Sequence, residues 1–76
     1  MSMEDVVADR LEKVSADGFD IFKISQEALN IYQDPHFSLT KKLDLALLSL
    51  VAMVEGPEFE MTEKEFRDFL FDIRRV

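Results

Sequence analysis

The chain contains no cysteine among its 76 residues, and this absence excludes several kinds of chemistry. A protein without thiols forms no disulfide, offers no thiolate to a metal ion and has no cysteine nucleophile. Its stability must come from helix packing or from association with other chains. Because a reducing compartment suits such a composition, we predict a cytoplasmic protein.

Glycine and histidine are also scarce. The chain has two glycines, Gly18 and Gly56, each interpreted as the end of a helix, so no glycine-rich phosphate loop is indicated. The only histidine is His36, and no nucleophile motif surrounds the nearby Ser38. We therefore predict no catalytic residue and no cofactor, and we expect a protein that is not an enzyme.

Carboxylates are the metal ligands that remain. Their densest group consists of Glu55, Glu58, Glu60, Glu63 and Glu65. Neither glycine begins the Asp-rich pattern that a calcium-binding EF-hand loop needs. The group predicts a solvated acidic loop and no metal site.

The net charge of −7 is unevenly distributed. Residues 1–37 hold eight acidic and three basic side chains, a balance of −5, whereas residues 62–76 hold four of each. An acidic half repels phosphate backbones, which argues against direct nucleic-acid binding. The charge either keeps the protein soluble or steers a basic partner toward this half.

Hydrophobic runs are short, and the longest is Leu43–Val54, in which Asp44 and Ser49 are the only polar residues. Twelve residues fall short of the roughly 18–20 that cross a bilayer, and the acidic N-terminus does not resemble a secretory signal. We therefore predict no association with a membrane.

Apolar residues at helical spacing predict an all-α protein. We expect one domain, 1–76, a compact bundle of four short antiparallel helices at about 2–17, 20–33, 38–55 and 62–75. Helix 38–55 is expected to be central. Ser2 and Asp20 are the expected N-caps of the first two helices, with Ser25 as an alternative start of the second.

The third and fourth helices have their own start signals. Ser38 or Thr40 can cap the third helix. Thr62 and Glu65 form a capping box at the start of the fourth. Gly18 is expected to take the left-handed position that ends the first helix.

A helix as apolar as Leu43–Val54 poses a choice about its second face. Either both faces are buried within the bundle, or the second face is shared with another molecule. Several large apolar side chains also lie off the main core stripes: Phe22, Phe37, Leu45, Leu48, Met53, Phe59 and Phe71. Such surplus apolar surface is typical of a protein interface, and a symmetric dimer is its commonest form.

Two functions follow as hypotheses. The first is an interaction module, homodimeric, that binds another protein through an apolar patch ringed by carboxylates. Its predicted partner-binding residues are Phe22, Leu45, Leu48 and Phe71 as anchors, with Asp17, Asp20 and Glu27 steering. The second is an acidic inhibitor or nucleic-acid mimic that blocks a basic groove on a nuclease or DNA-binding protein.

Overall fold

The fold is known from a computed structural model that describes residues 2–75. Met1 and Val76, the two ends of the predicted domain, lie outside the described residues. The described part contains four α-helices and no strand, so the prediction of an all-α bundle is confirmed. The helices are α1 (Met3–Val14), α2 (Ile21–Gln33), α3 (Lys41–Val51) and α4 (Glu63–Arg74), with 3-10 helices at Ala52–Glu55 and Pro57–Phe59.

Each α-helix is preceded by an N-cap residue whose side chain accepts a hydrogen bond from a backbone amide of the first turn. Ser2 accepts from the amide of Asp5, and Asp20 accepts from the amides of Phe22 and Lys23. Asp20 is therefore the N-cap of α2, and the alternative start at Ser25 is excluded. These caps satisfy amides that have no partner within their own helix.

The caps of α3 and α4 are both threonines. Thr40, the second of the two candidates, accepts from the amide of Leu43 at 3.2 Å. Thr62 accepts from the amide of Glu65 at 3.1 Å, and the Glu65 carboxylate accepts from the amide of Thr62 at 2.9 Å. The predicted capping box is therefore present.

Two predicted boundaries are wrong. The helix expected over 2–17 ends at Val14, because the hydroxyl of Ser15 donates to the carbonyl of Glu12 and the backbone turns there. Gly18 adopts φ 146°, outside the helical range, but it lies beyond the position that ends α1. In the helix expected over 38–55, α-helical winding is limited to Lys41–Val51 and a 3-10 helix follows.

The core contains thirteen buried apolar side chains contributed by all four helices and the first 3-10 helix. They are Val7, Ala8, Leu11, Ile24, Ala28, Ile31, Leu43, Leu47, Leu50, Met53, Phe66, Leu70 and Ile73. The ring of Phe19 packs against the core, with its centroid 5.8 Å from that of Phe66.

Polar contacts fix neighbouring helices to one another. Arg10 of α1 forms an ion pair with Glu27 of α2, with 2.6 Å between Nη2 and Oε2. Arg74 of α4 forms ion pairs with Asp9 and Glu12 of α1. Helix α1 thus lies between α2 and α4, and α2 packs on its other side against α3.

Of the two alternatives for the apolar third helix, burial of both faces within the bundle is wrong. Leu43, Leu47 and Leu50 are buried, but Leu45 is 55% exposed and Leu48 is 40% exposed. The buried three recur every three or four residues and therefore share one side of the helix, while Leu45 and Leu48 lie on the other. One apolar side of α3 is left open.

The capping box of α4 generates a prediction about stability. We expect Thr62→Ala to lower the free energy of unfolding by about 1 kcal/mol, because the amide of Glu65 loses its acceptor. Urea denaturation followed by circular dichroism measures this change. Thr62→Ser retains the hydroxyl and should unfold close to wild type, so equal stability of the alanine and serine variants would contradict the role of the cap.

Candidate functional site

Large apolar side chains are exposed mainly on one pair of helices. Seven are exposed among the described residues, and five of them belong to α2, α3 or the 3-10 helix that continues α3. We call these five the α2–α3 face: Phe22, Tyr32, Leu45, Leu48 and Val54. The two others, Phe59 and Phe71, lie in the second 3-10 helix and in α4.

One hydrogen bond fixes the register of α2 against α3, that is, which residues of the two helices lie at the same level along their axes. The hydroxyl of Ser25, in the second turn of α2, donates to the carbonyl of Val51, the last residue of α3, at 3.0 Å. The connection 34–40 joins the opposite ends of the two helices. The pair is therefore antiparallel, and the residues of the two helices can be matched by level.

Matching levels brings four of the five side chains of the α2–α3 face into two groups. Phe22 lies one turn before Ser25, and it comes level with Val54, three residues after Val51. Tyr32, two turns after Ser25, comes level with Leu45. Leu48 lies between the two groups. The five side chains therefore lie at successive levels along two neighbouring helices.

Phe71 lies apart from this face. It lines a groove of about 230 Å³ between α1 and α4, together with Phe19 and the side chains of Arg67 and Arg74. The guanidinium of Arg75 lies over the Phe71 ring, 5.5 Å from its centroid. The structure thus places Phe22, Leu45 and Leu48 on the neighbouring helices α2 and α3, and it places Phe71 on a different surface.

The three carboxylates predicted to steer a partner have different surroundings. Asp17 is exposed in the turn after α1. Asp20 accepts two amides as the N-cap of α2. The side chain of Glu27 is only 16% exposed and is held by Arg10. Asp20 and Glu27 therefore have structural partners inside the fold.

His36 is almost fully exposed and has one polar neighbour. Its amide donates to the Asp34 carboxylate at 2.8 Å, and its Nδ1 lies 2.9 Å from the same oxygen. The hydrogen bond from the amide lowers the pKa of Asp34 below its ordinary value. The arrangement shapes the turn after α2.

Residues 2–75 contain neither a metal-binding cluster nor a helix that could span a membrane. No group of three or more His, Asp or Glu side chains there is arranged to hold a metal ion. No helix in the same range has both the length and the apolar character that crossing a bilayer requires.

Two residues of the α2–α3 face, Tyr32 and Val54, are not among the predicted partner-binding residues. Val54 turns outward because the winding changes from α to 3-10 after Val51, and a 3-10 helix advances each residue by about 120° instead of 100°. The same change turns Met53 inward, where it is fully buried. No local pattern marks where such a change of winding occurs.

Comparison with known proteins gives no match to a family model, to a curated protein or to a solved structure. Functional inference for this chain therefore rests on its own surface.

The exposure of Phe22 and Phe71 predicts that neither stabilises the monomer. We expect Phe22→Ser and Phe71→Ser each to change the free energy of unfolding by less than about 0.5 kcal/mol. Phe66→Ala, at a buried ring, should cost about 3–5 kcal/mol. Urea denaturation at low protein concentration, where association is minimal, gives these values, and a large loss at Phe22 would assign its ring to the core.

Proposed function

We propose that this protein is a non-enzymatic protein–protein interaction module, and that its α2–α3 face binds a second copy of the same chain. The observation that carries the proposal is the exposure of Leu45 and Leu48, at 55% and 40%, on a helix whose opposite side forms the core. Small monomers rarely expose large apolar patches unless those patches bind something.

The charge distribution favours a second copy as the occupant of this face. Between Leu43 and Val54 the only charged residue is Asp44, and the centre of a protein interface is depleted in charge. Two chains of −7 repel each other least when they meet at such a charge-poor surface. A basic partner would instead be attracted to residues 1–37, where the acidic surplus lies.

A dimer interface of standard size would cover only a small part of this molecule's surface. A standard interface covers about 800 Å² of each partner, which is about a sixth of the 4996 Å² that this molecule exposes. Phe22 and Tyr32 widen the α3 surface by a second helix. Aromatic side chains are enriched at protein interfaces, and tyrosine is common among the residues that contribute most to binding.

The hypothesis of an acidic inhibitor or nucleic-acid mimic receives less support. Of the eight carboxylates in residues 1–37, five hold partners within the fold: Asp9, Glu12, Asp20, Glu27 and Asp34. Glu4, Asp5 and Asp17 remain to imitate a phosphate backbone. A mimic needs many freely directed charges, because it must replace a regular series of phosphates.

Light scattering at several protein concentrations tests the proposal. We expect the wild-type mass to approach twice that of the single chain as concentration rises. The double variant Leu45→Ser/Leu48→Ser should remain a monomer, because it removes apolar surface from the outer side of α3. Phe71→Ser is the matched control, since it removes an equally exposed side chain from the α1–α4 groove and should dimerise as wild type does.

Two outcomes would contradict the proposed dimer. One is a wild-type protein that stays monomeric at every concentration, and the other is a double variant that dimerises as strongly as wild type. High salt should leave the dimer largely intact, since burial of apolar surface is not screened by ions.

A further inference from the structure

The outer side of α3 carries a charge of each sign at its two ends. Successive residues are rotated about the helix axis by about 100° up to Val51 and by about 120° in the 3-10 helix beyond it. These rotations place one stripe of residues on this side. The stripe consists of Lys41, Leu45, Leu48, Ser49, Ala52 and Glu55. All of these are exposed except Ala52, which is half-buried. The stripe begins with a cation, ends with an anion and is uncharged between them.

The two terminal charges have no ionic partner among residues 2–75. Every ion pair formed within residues 2–75 involves other side chains, and neither Lys41 nor Glu55 takes part in one. Lys41 is the first residue of α3, and Glu55 is the last residue of the 3-10 helix that continues it. Both side chains are therefore available to a partner.

We propose that two copies of this chain pack through α3 in antiparallel, two-fold symmetric fashion, with Lys41 of each copy facing Glu55 of the partner subunit. This inference rests on the proposed dimer and adds its geometry. Lys41 lies about 10 Å before Leu48 along the helix axis, and Glu55 lies about 12 Å after it. A two-fold axis just beyond Leu48 therefore brings the opposite charges to the same level.

The same symmetry matches the apolar side chains by size. Leu45 lies about 6 Å to one side of the axis, and Ala52 lies about 6 Å to the other. Each large Leu45 side chain then meets the small Ala52 of the partner subunit, and the two Leu48 side chains meet near the axis. When large side chains face small ones, the side chains of two facing helices can interdigitate.

Ser49 can enter such an interface without an unpaired polar group. Its hydroxyl donates to the carbonyl of Leu45 in its own helix at 3.1 Å. A hydroxyl already bonded in this way does not require a partner across the interface, so burying it costs less than burying a free one. The whole stripe between Lys41 and Glu55 is thus suited to burial.

Charge reversal tests the proposed facing pairs. We expect Lys41→Glu alone and Glu55→Lys alone each to weaken dimerisation about ten-fold or more at low salt, because each creates two repulsive pairs. The double variant Lys41→Glu/Glu55→Lys should return close to wild type. Lys64→Glu, which reverses an exposed lysine in the first turn of α4, is the matched control and should have little effect.

Engineered thiols test the direction of packing in a chain that lacks cysteine. Ser49→Cys, close to the two-fold axis, should form a disulfide-linked dimer under mild oxidation, because facing Cα atoms there lie within the roughly 7 Å that a disulfide spans. Lys41→Cys should not cross-link to itself, since its two copies are about 20 Å apart. An equal mixture of Lys41→Cys and Glu55→Cys should cross-link. Denaturing gel electrophoresis without reductant reads each result.

The outcomes distinguish failure of the proposed antiparallel geometry from failure of the proposed dimer. A dimer that is lost in Leu45→Ser/Leu48→Ser but unchanged by either charge reversal would overturn the antiparallel pairing and leave the proposed function in place. Self-cross-linking of Lys41→Cys would do the same, because it indicates parallel helices. A wild-type monomer would overturn both. Restoration by the double reversal, with cross-linking of the mixture, supports both.

Discussion

The packing of α3 against α2 is the interaction on which the rest of the molecule depends. Leu43, Leu47 and Leu50 are buried on one side of α3, and the bond from Ser25 to the carbonyl of Val51 fixes the level of the two helices. A helix on the outside of a small bundle buries one stripe. Because α3 is apolar on nearly all sides, this packing buries one side of the helix and leaves the other side exposed.

Most of the acidic side chains in residues 1–37 have a structural role. Asp20 caps α2, Glu27 holds Arg10, and Asp9 and Glu12 together hold Arg74, whose pKa is raised above its ordinary value chiefly by the hydrogen bond to Asp9. These contacts join α1 to α2 and α4. The carboxylates thus organise the sides of the bundle away from α3, where the exposed surface stays low in charge.

Local signals in the sequence predicted the helix starts well and the helix ends less well. Asp20 and Thr62 cap through contacts within three residues, and such contacts are visible in sequence spacing. The end of α1 depends on one hydroxyl, at Ser15, and the shift to 3-10 winding after Val51 has no sequence marker. Of the site, the sequence predicted Phe22, Leu45 and Leu48 as exposed apolar residues, but it could not separate Phe71 from them, because spacing within helices does not report which helices are neighbours.

Apolar burial and the terminal charges of α3 would have different roles in a dimer. The hydrophobic effect is non-directional and roughly proportional to area, so burial of Leu45 and Leu48 rewards parallel and antiparallel packing about equally. Direction must come from the match of Leu45 with Ala52 of the partner subunit and from the charges at the ends of the stripe. Parallel packing would set Lys41 against the same lysine and Glu55 against the same glutamate of the partner subunit, whereas antiparallel packing turns both repulsions into attractions. Such exposed pairs contribute little affinity, about 0.2–1 kcal/mol each, and yet they are sufficient to select one of two orientations that are otherwise close in free energy.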